Sequence, residues 1–358
     1  MRALVESQSS EFEDTDSVML TIRDASERWK ELCHDFLTHF RPTGYRELQE
    51  IPVTQQVDPS VDFIGSNTNL IKVDLLAGRL PAEGVLINQA CLRTQNLKTL
   101  NLDSEVPYRA SAFRMIGATV WPEMTPLLAH DCATWFRSFD RGHAQRLVVW
   151  LSSADKDLVD LVETYFADSE ILYDTQPPAR YRHVYGVPGL TGRNFNFGTR
   201  NESGFADIAG NLVIMEKDGV PIASELGISV PMVLALRHNV GHPILASPVA
   251  ENLVFRNAID IKLADCLAIS QLLLAAGMRP RKKGRKRTLR TALQSAAILI
   301  GESSNDLAAV ESTIGHLYAS QGVDPEDVPQ RVARYIELSD PRNGQTNSRT
   351  SVDLQSVL

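Results

Sequence analysis

Residues 87–118 read INQACLRTQNLKTLNLDSEVPYRASAFRMIGA. A short apolar run broken by turn-forming residues opens the stretch, the pattern of a strand entering a loop. Arg93 follows that run at once, and beyond a long loop Arg109, Phe113 and Met115 return at alternating positions. Alternation with aromatic and branched residues predicts a second strand, antiparallel to the first. Such a hairpin sets a guanidinium and an aromatic face on one sheet surface. The planar donor fork of arginine suits a phosphate, and the flat ring of phenylalanine suits a purine. An ordinary hairpin with a buried Phe has the same pattern, so these residues by themselves leave both readings open.

The remaining composition narrows the class. A chain of 358 residues can hold one large domain and a smaller one. Its 43% hydrophobic and 22% charged residues are those of an ordinary water-soluble domain. A net charge of −8 argues against wholesale coating of nucleic acid, so any such contact must come from a local patch. No apolar run is long enough for a bilayer span, and the N-terminus lacks the basic-then-apolar order of a signal peptide. Cys33, Cys91, Cys132 and Cys266 are scattered without a C-x-x-C pair, which predicts reduced thiols, no zinc site and a cytoplasmic protein with no membrane contact. No glycine-rich phosphate loop is present, against P-loop and Rossmann readings.

Along the chain, residues 1–16 are polar and acidic and are expected to be disordered. Apolar positions from Val18 to Phe40 recur at helical spacing, and Pro42 and Gly44 stop that helix. A helix is predicted over Trp121–Arg137, a buried strand over Leu147–Leu151 and an amphipathic helix over Asp155–Phe166. Residues 261–276 form a strongly apolar helix with Gly277 at its end, and helices continue over 291–336. The run Arg279-Pro280-Arg281-Lys282-Lys283-Gly284-Arg285-Lys286-Arg287 is the densest charge cluster in an acidic chain. It reads as a phosphate-binding patch or as a solvated basic loop. The tail, 339–358, is polar and expected to be disordered.

Several segments carry a resemblance. Gln89-Ala90-Cys91-Leu92-Arg93 and Phe113-Arg114-Met115-Ile116-Gly117 look like the two arms of motif 2 in the alanyl-tRNA synthetase family. Asp58-Pro59-Ser60-Val61-Asp62-Phe63 and Asn69-Leu70-Ile71-Lys72 stand where that family has D-P-[ST]-L-x-F and N-Q-F-K. Pro188–Asn196 falls at its G-P-C-G-P-C-S-E segment, although two glycines would equally make a plain turn. Asn211–Glu216 and Asp218-Gly219 are similar to its N-[IL]-V-F-M-Q strand and D-G turn. The resemblance covers roughly residues 20–320 in collinear order; the family's editing and C-terminal domains have no counterpart. It implies an α+β fold, the class II synthetase antiparallel sheet flanked by helices and followed by a helical domain. The expected divisions are a disordered 1–16, a catalytic domain over 17–245, a helical tRNA-recognition-like domain over 246–338 and a disordered 339–358.

The resemblance also implies roles. Arg93 would stabilise charge on the α-phosphate of ATP, with Arg109, Phe113, Met115 and Gly227 as further nucleotide contacts and Mg²⁺ on the leaving phosphates. Val213, Glu225 and Asn211 would hold a small amino acid, alanine first among them. Arg281, Lys282, Lys283, Arg285, Lys286, Arg287 and Arg290 would meet a tRNA acceptor stem, and a homodimer is compatible with the class. Motif 3 departs: Glu225-Leu226-Gly227-Ile228-Ser229-Val230-Pro231-Met232 replaces D-T-G-M-G-L-E-R, so Met232 stands at the arginine. Arg237 lies about 140° around a helix from Met232, a poor substitute. Two functions follow: an enzyme that adenylates a small amino acid, or a catalytically retired paralogue that binds tRNA or a protein. Neutralising Arg281, Lys282, Lys283, Lys286 and Arg287 together is expected to flatten the salt dependence of tRNA binding in filter-binding assays, by several units of log–log slope. Unchanged affinity and slope would remove the patch from RNA recognition.

Overall fold

The computed structural model describes residues 18–100, 105–138, 146–176, 178–200, 204–342 and 357. The expected disorder of 1–16, and of all but a few residues of 339–358, lies outside the described residues. The chain divides into two compact units, residues 28–91 with 113–239, and residues 1–27 with 92–112 and 240–358.

The larger unit holds α1 (Ala25–Phe40, entered from the other unit), β1 (Arg46–Glu47), α2 (Thr68–Leu76), β2 (Val85–Leu92), β3 (Ala112–Val120) and α3 (Thr125–Ser138). These are followed by β4 (Arg146–Ser152), α4 (Lys156–Tyr165), β5 (Glu170–Asp174), β6 (Arg182–Val184), β7 (Leu190–Arg200), β8 (Ala206–Lys217), β9 (Val220–Ser229) and α5 (Val230–Arg237). The strands form one sheet in the order β1-β2-β3-β9-β8-β7-β4-β5, with β6 against β7. Pairings β3/β9, β9/β8, β8/β7, β7/β4 and β6/β7 are antiparallel; β1/β2 and β4/β5 are parallel. The fold is therefore α+β, a mostly antiparallel sheet flanked by helices, as expected.

Side-chain alternation explains the layering. Along β7, Asn194-Phe195-Asn196-Phe197 sends aromatic rings to one face and amides to the other. Leu212 and Ile214 on β8, Leu226 and Ile228 on β9, and Ile116 and Ala118 on β3 extend the aromatic face, and all are buried. Helices α1 and α3 cover it: the Phe136 ring meets Phe197 at 5.0 Å, and Trp135 meets Phe36 edge-on at 5.1 Å. Between β8 and β9 the turn needs left-handed backbone, and Asp218 (φ 53°) with Gly219 (φ 81°) supplies it. Pro231 sits in the first turn of α5, where its missing N–H leaves no helical bond unmade.

On the opposite face, Leu190, Met215 and Ala223 are covered by Ile71 and Leu75 of α2. A buried ion pair ties α2 down. Lys72 Nζ lies 2.5 Å from Asp58 Oδ2, and their side chains are 5% and 1% exposed. Lys72 also donates to Ser60 Oγ (2.6 Å) and to the Tyr185 carbonyl (3.3 Å), while Asn69 Nδ2 donates to Asp58 (2.9 Å).

In the second unit, α6 (Ala258–Ala275), α7 (Lys286–Leu299), α8 (Leu307–Ser320) and α9 (Val328–Ser339) are joined by short loops. Asn257 and Asp260 form a reciprocal cap at the start of α6. Among the described residues no helix is long and apolar enough to cross a membrane.

One expectation is corrected. The first helix begins at Ala25 rather than Val18, because Met19 and Ile22 give their N–H groups to Phe255 and Leu245 carbonyls and Asp24 is left-handed at φ 54°. Residues 92–112 pack with the helical unit, where Ser111 donates to Asp265 of α6 and His242 pairs with the Pro107 carbonyl at 2.7 Å. Residues 190–196 lie in β7, and Gly189 just before them is left-handed at φ 75°.

Burial would raise the Asp58 carboxyl, but hydrogen bonds from Lys72, Ser60 and Asn69 outweigh it and hold it below the usual range. Its contribution to stability is thus present above the unfolded carboxylate value of about 4 and lost as pH falls through the lower folded value. Lys72→Met is expected to cost about 3–5 kcal/mol in urea unfolding at neutral pH, by leaving a buried carboxylate unpaired. A loss under about 1 kcal/mol would mean that the pair does not hold α2 in place.

Candidate functional site

Strand register sets out the site. Asn194, Val213, Glu225 and Thr119 lie abreast on β7, β8, β9 and β3. Asn196, Asn211, Gly227 and Gly117 form the next row. Opposed residues share a face, and so do residues two apart, so both rows lie on the face away from α1 and α3. Phe113 and Met115 precede Gly117 at the same spacing. Five sequence-predicted residues (Met115, Asn211, Val213, Glu225 and Gly227) therefore come together on this face.

Glu225 is 5% exposed and accepts one side-chain hydrogen bond, from Thr68 Oγ1 at 2.6 Å. Burial raises its carboxyl above the ordinary range, and the hydrogen bonds from Thr68 oppose the rise only in part. A carboxylate in such surroundings is completed by a cationic donor.

Polar groups without partners gather around it. Both amide atoms of Asn67, Thr119 Oγ1, Asn194 Oδ1 and the Tyr185 hydroxyl are buried and unpaired, five of the eight such atoms among the described residues. Folded proteins keep few groups of this kind, so their concentration marks this face as built for hydrogen bonding to something else. Asn67, fully buried, gives its backbone N–H to the Met115 sulfur at 3.4 Å. A Cβ at Gly117 would run into the Leu226 carbonyl and lie 2.5 Å from Asn67 Nδ2, so glycine there makes room for the amide.

The other predicted residues are placed as follows. Phe113 is 3% exposed and lies two and four residues before Met115 and Gly117, on the same face of β3. Arg93 and Arg109 belong to the second unit. Arg93 Nη1 donates to the Ala110 carbonyl (2.8 Å), and Asn96 Nδ2 donates to the Arg109 carbonyl (2.6 Å) and Ser111 Oγ (2.9 Å). The Ser111 N–H and hydroxyl both donate to Asp265, whose carboxyl burial pushes up to about 6 against those hydrogen bonds and the Arg93 charge. The Arg109 guanidinium lies 5.2 Å from the Tyr108 ring centre. Arg281, Lys282, Lys283, Lys286 and Arg287 are exposed, and Arg285 and Arg290 half-buried, where α7 begins. Met232 is buried within α5. Arg237 ends that helix half-buried; burial and the Arg28 charge push its guanidinium down, against the charges of Asp35 and Glu31 on α1.

Asn67, Thr68, Tyr185 and Asn194 are absent from the sequence reading. The polar–aromatic alternation of Asn194–Phe197 was the available signal for Asn194. Thr68 had none, since it meets Glu225 across 157 positions.

No family profile matches the sequence, and no curated protein matches it. Similar solved structures include an apo histidyl-tRNA synthetase from S. aureus, 11% identical, with 62% of this chain and 75% of that one covered and a TM-score of 0.37. The RNA binding domain of threonyl-tRNA synthetase from Cryptosporidium parvum Iowa II is 11% identical, with 68% and 74% covered and a TM-score of 0.40. Asparaginyl-tRNA synthetase from Pyrococcus horikoshii complexed with asparaginyl-adenylate is 9% identical, with 62% and 68% covered and a TM-score of 0.35.

A carboxyl raised on folding keeps its proton when the unfolded chain has lost it, so stability falls as pH climbs from about 4.3 through the folded value. Glu225→Gln is therefore expected to be as stable as the native protein or more so at pH 7, with a flatter pH dependence above about 4.5 in thermal unfolding. A variant clearly less stable at pH 7 would show that the ionised carboxylate is satisfied within the fold.

Proposed function

We propose that the sheet unit binds a small α-amino acid by its ammonium at Glu225 and, with ATP and Mg²⁺, activates it as an aminoacyl-adenylate for transfer to tRNA. The observation behind this reading is Glu225 itself, a buried carboxylate with one side-chain donor, ringed by unpaired amide and hydroxyl groups. The collinear sequence resemblance supports it: Glu225 stands where the family has an aspartate for the substrate's ammonium, and Val213 where it has a small apolar wall. Alanine is the substrate that the resemblance implies, and Asn211, beside Gly227 in the register, is assigned to the same ligand.

Bound ATP would supply the phosphorus that the carboxylate attacks and the pyrophosphate that leaves. Positioning and charge stabilisation carry such a step, with little acid–base chemistry. The resemblance assigns the α-phosphate contact to Arg93 and nucleotide contacts to Arg109, Phe113, Met115 and Gly227. Among the described residues no three His, Cys, Asp or Glu side chains gather into a metal cage. Mg²⁺ commonly binds through one or two carboxylates and substrate phosphates, so its ligands here would be largely the nucleotide's. The basic run over 281–290 is assigned to the tRNA acceptor stem. Four buried free thiols suit the cytoplasm.

A specific observation favours a second reading. With Met232 buried at the motif 3 arginine and Arg237 turned to α1, a core that binds amino acid and tRNA without activating either is the alternative. Amino-acid-dependent ATP–pyrophosphate exchange separates the two. The enzyme reading expects exchange with one small amino acid, reduced by about 10²-fold or more in Arg93→Ala. No exchange with any amino acid, in protein that still binds tRNA, would leave the binding module.

A further inference from the structure

The side-chain end of the site, taken on the amino-acid reading above, is not built for a methyl group. Tyr185 packs its ring against the Leu190–Met215 apolar cluster, and its carbonyl is held by Lys72. The His183 ring stacks on the Tyr185 ring with centres 6.2 Å apart. A Cβ built on Gly192 would lie 3.0 Å from the Tyr185 hydroxyl and 2.7 Å from Val213 Cγ1, so oxygen and methyl crowd one point above β7. The hydroxyl has no hydrogen-bond partner, and Glu225 lies close enough for its charge to act on it. Directly across from Val213, Asn194 is 1% exposed. Its Nδ2 donates to Asn196 Oδ1 at 2.9 Å, and its Oδ1, met by no more than a long contact from the half-buried His183 ring, keeps a lone pair open.

A donor without an acceptor and an amide oxygen with a lone pair to spare thus stand beside Val213. Glycine or alanine would satisfy neither, and a buried pair left so is costly. One hydroxyl satisfies both, by accepting from Tyr185 and donating to Asn194. Asn194 and Glu225 stand in one register row, two strands apart, on either side of Val213. On the other side of Glu225, the unpaired Asn67 amide and Thr119 hydroxyl remain for the ligand's carboxyl end.

We propose that the substrate of this site is an amino acid with a hydroxyl-bearing side chain of serine size, read by Tyr185 and Asn194, in place of alanine. The test is isothermal titration of the full-length protein, without nucleotide, with L-serine, L-alanine, glycine and L-threonine. L-Serine is expected to bind at least about 10-fold more tightly than L-alanine. Tyr185→Phe is expected to bring the two within about 3-fold by weakening serine alone, and to unfold at the same temperature as the native protein or higher, since the hydroxyl it removes is unpaired. Alanine bound as tightly as serine, or a full serine advantage retained in Tyr185→Phe, would overturn the proposal and leave the amino-acid site standing. Absence of binding by all four would overturn both together. The comparison of serine with alanine on the native protein stands even if the variant does not fold.

Discussion

Lys72 and Asp58 form an ion pair out of contact with water, and four segments meet on it. Asp58 takes hydrogen bonds from Ser60 and Asn69; Asn69 in turn accepts from the Gly65 and Ser66 N–H groups; Lys72 reaches Ser60 and the Tyr185 carbonyl. A pair buried this deeply gains stability only if its remaining donors and acceptors are met, and here they are. The consequence is positional. Asn67 and Thr68 start α2 directly over the middle of the sheet, and Tyr185 is held at the edge of the same patch.

That patch contrasts with the ion pair beneath it. Around Lys72 and Asp58 nearly every polar group has its partner; around Glu225 the Asn67 amide and the Thr119 and Tyr185 hydroxyls lack theirs. Unpaired buried groups lower stability, and a fold keeps them where they do other work. The opposite face shows what the sheet does when only packing matters: Phe36, Trp135, Phe136 and Phe197 meet edge-on under α1 and α3. One strand serves both purposes, because Asn194–Phe197 alternates amide and ring.

Much of the architecture could be read in advance because its causes are local. The apolar run before Arg93, the Asp218-Gly219 turn, Pro231 at a helix start and Gly277 after an apolar helix each act on a few neighbouring residues. The glycines at 189 and 192 leave turn and strand both open, and cross-strand pairing with β8 draws residues 190–200 into a strand. The first helix misled. Its helical spacing runs back to Val18, but the N–H groups of Met19 and Ile22 are taken by Phe255 and Leu245.

The sequence by itself determined the alternation of strands and helices, the two faces of each central strand and the basic run before α7. Those follow from periodicity and backbone chemistry, and they need no knowledge of distant neighbours. Tertiary structure decided which groups meet. Thr68 donates to Glu225, Asn67 fills the space a side chain at Gly117 would occupy, and the Tyr185 hydroxyl stands beside Val213. It also decided which polar atoms are left without partners. Burial and hydrogen bonding are properties of the packed chain, and no spacing along the sequence encodes whether a given amide has found its acceptor.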